Sequence, residues 1–202
     1  MLSTAPTLCP AGKYCPLNAS LPVLCKSGQF CPLGSCNGTL CPCGYRCPAG
    51  TSAPQMCAPP FYCPNSGQWN QTICPAGYKC DMVGMCNATA CPPGTYVSCP
   101  GKQSCDTCPS GRYCPTSTMS IICPPGFYCP AGSSSPKQCP SGYWCHIGSA
   151  AYRQCSSGFY CPGGASIKIL CPVGFFCPVD GLSVFINNPC PSALRVGNSV
   201  CL

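Results

Sequence analysis

The sequence predicts a small disulfide-rich fold: an elongated tandem array of about twelve 16-residue repeats, mostly turns and tiny β-hairpins, with essentially no helix. Three observations carry this expectation. Cysteine supplies 28 of the 202 residues, well above the level that marks a disulfide scaffold. A cysteine opens a stretch that usually reads Cys-Pro-x-Gly-x-aromatic-Cys-Pro at Cys9, Cys25, Cys41, Cys57, Cys74, Cys91, Cys108, Cys123, Cys139, Cys155, Cys171 and Cys190. Most steps are 16 residues, a few are 15 or 17, and the last is 19. A fixed period this short belongs to arrays whose repeats do not fold alone. Finally, the 27 prolines and the lack of any helical periodicity argue against helices.

Each element of the repeat has a physical reason. In Cys123-Pro-Pro-Gly-Phe-Tyr-Cys129-Pro, the first proline suits the second position of a turn, and Gly126 suits the fourth position of a type I turn. Ten of twelve repeats keep that glycine, and Pro60 and Ala193 are the exceptions. An aromatic precedes the second cysteine as Tyr14, Phe30, Tyr62, Tyr96, Tyr113, Tyr128, Trp144, Tyr160 and Phe176, and stands one place earlier as Tyr45 and Tyr78. It is the largest apolar surface such a repeat owns, so it is expected to cover its own disulfide or the next turn. The Pro-, Gly- and Ser-rich spacer that follows reads as turns with two or three extended residues.

The cysteine density places the chain in an oxidising compartment. Metal storage fits poorly, because zinc sites need ligand clusters that this spacing does not supply. Charged residues are only 6% of the chain, and its net charge of +7 reflects three aspartates and no glutamate. The ten bases are scattered, so no nucleic-acid footprint forms, though a mild attraction to anionic polysaccharide or membrane surface is compatible. No apolar run is long enough to span a bilayer. Residues 1–7 lack the basic and apolar regions of a signal peptide, which is the expectation for a mature product or a fragment of a longer secreted precursor. Asn18, Asn37, Asn70 and Asn87 fit the N-glycosylation rule.

Two closures compete for the regular cysteines. Each repeat closes on itself, as Cys9 with Cys15, Cys123 with Cys129, Cys139 with Cys145 and Cys171 with Cys177, or the second cysteine reaches the next opening one. Self-closure strands no cysteine, which favours it. The extra cysteines Cys36 and Cys86 stand in matching context, each followed by a sequon. Cys36 is expected to pair with Cys43, and Cys86 with Cys99 or Cys105. The chain then divides into a leader at 1–8, a glycosylated half with extra cysteines at 9–107, a regular half at 108–178, and an atypical terminal repeat at 179–202.

The Cys-Pro-x-Gly-x-Tyr-Cys-Pro repeats resemble the ephrin-receptor-like cysteine-rich repeats and, more distantly, the cysteine-rich modules of tumour-necrosis-factor receptors. The resemblance covers residues 9–178. Long runs of this type are typical of large extracellular glycoproteins of protists and algae, including surface coats and flagellar hairs. It implies an extracellular location, an elongated shape, and adhesion, scaffolding or ligand-contact roles, and it supplies no catalytic residues.

Catalytic chemistry is hard to assemble from this composition. His146 is the single histidine, and three aspartates without glutamate give little material for a carboxylate pair. Cys105-x-x-Cys108 matches a redox motif only formally, and Gly163-Gly164 is a turn. No enzyme and no cofactor is expected. The expected function is that of a structural extracellular glycoprotein, a stapled rod that self-associates into a homopolymer or acts as a spacer. The alternative is a ligand-binding or adhesion ectodomain with Trp69, Trp144 and Arg153 as anchors. Val184, Phe185 and Ile186 break the repeat with an apolar cluster and are the expected assembly contact.

Overall fold

The computed structural model describes residues 8–173, 175–189, 195–196 and 200–201. The Cys190 to Cys201 pairing of the last repeat lies outside the described side chains. Two compact units are present: residues 1–91 with 97–105, and residues 92–96 with 106–202. Both are built from the same part. Twelve two-stranded antiparallel sheets follow one another along the chain, and no described residue is helical. In the Cys123 repeat, strand Phe127–Tyr128 pairs with Lys137–Gln138, Phe127 opposite Gln138 and Tyr128 opposite Lys137. The first strand therefore carries the aromatics, and the second ends at the next opening cysteine.

The turn before the first strand differs from the expectation. Lys13 N donates to Pro10 O (3.1 Å), and Phe127 N to Pro124 O (3.3 Å). Proline is thus the first residue of the turn, and glycine the third. Gly12 and Gly126 have φ of 79° and 81°, as the third position of a type II turn requires and a type I turn does not. The spacer makes a second turn of the same kind, where Ser133 N donates to Pro130 O (3.2 Å) around Gly132. In the first repeat Asn18 takes that left-handed place with φ 66°, and asparagine tolerates it best after glycine.

Three backbone hydrogen bonds join each typical repeat to the next. Gly126 N donates to Cys145 O (2.8 Å), Cys129 N to Ser149 O (2.9 Å), and Gly148 N to Cys123 O (2.8 Å). The first compact unit repeats this with Gly12 to Cys31 O, Cys15 to Ser35 O and Gly34 to Cys9 O. Three such bonds contribute about 3 kcal/mol per junction, comparable to the ~2 kcal/mol of a disulfide closing so short a loop. Pro60 replaces the turn glycine and has no N–H, so its repeat loses the first bond while Pro60 O still accepts from Cys74 N (3.0 Å). Contact also reaches two repeats on: a Cβ placed on Gly126 would collide with the carbonyl of Gly164.

The disulfides are the core. Ten repeats close on themselves, including Cys9–Cys15, Cys123–Cys129, Cys139–Cys145 and Cys171–Cys177. Most of these sulfurs are fully buried. The aromatic covers the following disulfide: Tyr62 packs on Cys74 and Cys80, and Trp144 on Cys155 and Cys161.

The extra cysteines pair otherwise than expected. Cys43 bonds Cys86 across 43 residues, Cys91 bonds Cys105, and Cys36 and Cys99 are exposed thiols. The reason is the two-repeat offset. The first turn of the Cys41 repeat packs on the spacer of the Cys74 repeat, where a Cβ on Gly44 would lie 3.5 Å from Cys86 Sγ. Cys36 stands seven residues before Cys43, but its spacer lies beside Leu8, whose side chain is 3.3 Å from a Cβ placed on Gly34. Val97 fills the second-cysteine place of the Cys91 repeat, wholly buried at 0% exposure, so Cys91 closes on Cys105 and leaves Cys99 over.

Two outcomes follow. Alkylation of the non-reduced protein with a maleimide should label Cys36 and Cys99, and peptide mapping should recover a Cys43–Cys86 link. A Cys36–Cys43 link would refute the offset. Gly126→Ala should cost more stability than Gly158→Ala. Both glycines have φ near +82°, worth about 1–2 kcal/mol against alanine, but among the described residues Gly158 has no neighbour within 4 Å of its added Cβ. Thermal unfolding of the non-reduced variants measures the difference, and equal losses would remove the close approach as a source of stability.

Candidate functional site

The second compact unit carries a ladder of rings with a simple construction rule. Tyr152 and Phe185, each just before a second strand, lie between two aromatics. One belongs to the first strand of its own repeat, the other to the first strand of the preceding repeat. Tyr152 meets Tyr143 (4.7 Å between ring centres) and Tyr128 (5.1 Å), edge to face in both cases. Phe185 meets Tyr160 (5.2 Å) edge to face and Phe175 (5.2 Å) in a tilted arrangement. The intervening repeat puts a cation at this place. Lys168 Nζ stands 4.1 Å from the Phe159 ring centre and 3.2 Å from Ser156 Oγ.

Exposed cations recur along this unit. Lys137 and Arg153 each open a second strand, opposite Tyr128 and Trp144. Arg153 Cζ is 5.6 Å from the Trp144 ring centre, a distance at which a cation is attracted to the ring face. His146 lies 6.0 Å from Trp144 on another side, its Nδ1 donating to Ile147 O (2.6 Å). The nearest acid, Asp180, accepts from Ser157 N (2.7 Å). No acidic residue occurs between Asp106 and Asp180.

The first compact unit has a different edge. Leu8, Leu24, Leu40, Met56 and Ile73 all directly precede an opening cysteine, and each is about half exposed or more. Leu24 lies 3.1 Å from a Cβ placed on Gly50, and Ile73 3.2 Å from one on Gly101, so each seats on the spacer glycine two repeats on. The result is an apolar column. Lys79 and Asp81 form an ion pair here at 2.7 Å, and hydrogen bonding to Lys79 holds the Asp81 carboxyl below its ordinary range.

All four sequon asparagines are exposed. Asn37, Asn70 and Asn87 share one register, because Thr39, Thr72 and Thr89 each begin a second strand. Asn18 differs, standing in a spacer turn. Of the expected assembly contact, Val184 is 63% exposed, whereas Phe185 is 37% exposed and engaged with its own rings. The side chain of Ile186 lies outside the described residues. Trp69 is exposed beside Asn70, and the structure brings it to none of the ladder residues. Tyr152 and Lys168 escaped the sequence reading. Their signal was the fixed place before the second strand, where Pro136, Tyr152, Lys168 and Phe185 follow one another.

No family model and no curated protein matches the chain. The geometry therefore stands by itself: a disulfide-stapled hairpin array with one apolar edge in its first unit and one aromatic, basic edge in its second. The twelve disulfides among its described residues indicate an oxidising environment. Among the described residues no helix is long and apolar enough to cross a membrane.

Tyr152→Ala should destabilise the second unit by about 1–3 kcal/mol through two lost ring contacts, while Tyr152→Phe should be near neutral. Unfolding of the non-reduced variants checks both, and an unchanged midpoint for the alanine variant would show that the ladder adds no stability.

Proposed function

We propose that this chain is a structural extracellular glycoprotein, a repeat scaffold serving as filament subunit or spacer in a surface coat, flagellar hair or matrix. The observation that carries the reading is the recurrence of one three-bond backbone junction in both compact units. Such a junction depends on no particular side chain, so repeats add to one another without new chemistry, and the useful property of the molecule is its repeat number. Glycans on the exposed sequons give a chain with little charge the solubility it otherwise lacks. The kinship with ephrin-receptor-like repeats belongs to the same proposal.

An adhesion or ligand-binding ectodomain is the second reading. It is favoured by one observation, the cations set among rings on the edge of the second unit.

Negative-stain electron microscopy of the non-reduced, glycosylated protein at micromolar concentration tests the first reading. Regular filaments support a self-assembling subunit, and dispersed single particles at every concentration exclude it. Val184→Asp tests the contact. It should shorten or abolish filaments without moving the unfolding midpoint, because Val184 is outward-facing. Unaltered filaments would remove Val184 from the interface.

A further inference from the structure

We infer that the basic, aromatic edge of the second compact unit is a binding site for a linear acidic polysaccharide, a sulfated one best of all. This goes beyond the scaffold reading and does not depend on filament formation.

The argument begins with register. Lys137, Arg153 and Lys168 come from three successive repeats, two at the first residue of the second strand and one immediately before it. The junction bonds Gly126 to Cys145 O and Gly142 to Cys161 O hold these repeats side by side. Each of three successive repeats thus presents one exposed cation at or beside the start of its second strand, and such a series matches a polymer with repeated anions. The bases of the first unit are placed otherwise: Lys13, Arg46 and Lys79 stand in first strands, and Lys26 and Lys102 outside any strand.

Chemistry selects the ligand. The cations have little competition, since Asp180 is the acid at this end and it is bonded to the Ser157 amide. Cations held against rings keep outward N–H groups for a sulfate or carboxylate, and in this setting their desolvation is already partly met. The rings supply what a purely ionic site lacks. Tyr152 is 45% exposed, Trp144 and Tyr128 are half-buried beside it, and Arg153 lies against the Trp144 ring, so apolar ring faces stand near positive charge. Sugar rings present C–H faces that cover such surfaces, and their sulfates lie at the rim. A sugar chain also fits a chain whose many disulfides indicate an oxidising, extracellular setting better than a nucleic acid does. Single-stranded DNA remains an explicit outcome of the test, because its bases also stack on rings.

The experiment uses the full non-reduced chain and three probes: dextran sulfate, uncharged dextran, and a single-stranded oligonucleotide. Dextran sulfate should bind at low salt and weaken steeply toward 0.5 M NaCl, where screening reduces exposed charge interactions; dextran should not bind. The Lys137→Gln, Arg153→Gln, Lys168→Gln triple variant should lose about tenfold or more in affinity, about 1.4 kcal/mol. A charge-matched control, Lys13→Gln, Lys26→Gln, Arg46→Gln, should lose less than about twofold. Equal losses in both variants would reduce the site to bulk net charge and overturn the proposal, as would binding that neither variant weakens. Trp69→Phe leaves Trp144 as the sole indole. Its emission should shift with dextran sulfate, and an unmoved spectrum on saturation would exclude contact with the ladder. Tighter binding of the oligonucleotide than of dextran sulfate would overturn the ligand class. Unchanged unfolding midpoints of both triple variants confirm that affinity and not folding is being read.

Discussion

The approach of backbone to backbone at the turn glycines is the constraint on which everything else depends. Gly126 spends its N–H on Cys145 O and its carbonyl on Cys139 N, and its bare Cα backs onto the carbonyl of Gly164. No side chain fits there, and no L-residue readily adopts the positive φ. The repeat motif is therefore a packing requirement before it is a disulfide pattern. The cysteine pair holds the two ends of that turn together, and the neighbouring repeats are docked on peptide groups. A core made of disulfides and peptide bonds tolerates almost any residue at the edges, which explains how charge, glycan sequons and rings came to be sorted there.

Edges are where the two compact units diverge. The residue before an opening cysteine is Leu8, Leu24, Leu40, Met56 or Ile73 in the first unit; in the second it is still apolar at Ile122 and Leu170 but becomes Gln138 and Gln154 between them. The residue before the second strand is Pro22, Gly38 or Pro54 early in the chain and Tyr152, Lys168 or Phe185 late in it. The first unit thus offers an apolar column with sequons nearby, and the second a ladder of rings and cations. Neither set is needed to close the repeat, since repeats lacking them make the same junction bonds.

Much of this was legible in the sequence. The period, the hairpins, the absence of helix among the described residues and the closing of regular repeats all follow from local spacing. What escaped was whatever depends on the offset between repeats. Cys36 and Cys43 are close in sequence, yet the offset sends Cys43 to Cys86. Val97 looked like a missing cysteine only once its burial and its bond from Gly77 N were seen. Placing glycine fourth in a type I turn was a one-residue error of register, because proline's preference for the second position gave way to the glycine's need for positive φ at the third. The ladder was half visible: its first-strand aromatics belong to the motif, but Tyr152 and Lys168 sit in spacers, where composition alone suggested only turns.

The same offset decides what a single substitution can do. A side chain before the second strand touches its own repeat and the preceding one, as Tyr152 does through Tyr143 and Tyr128. A residue before an opening cysteine touches a repeat two places on, as Leu24 does at Gly50. Edge residues therefore couple neighbouring repeats without contributing to any disulfide. Replacing Phe185 by Lys168-like chemistry, or the reverse, changes the surface presented while leaving the backbone junction intact. That separation of a fixed interior from a freely varied edge allows one repeat to serve as a scaffold along its whole length and as a recognition surface over a few of its members.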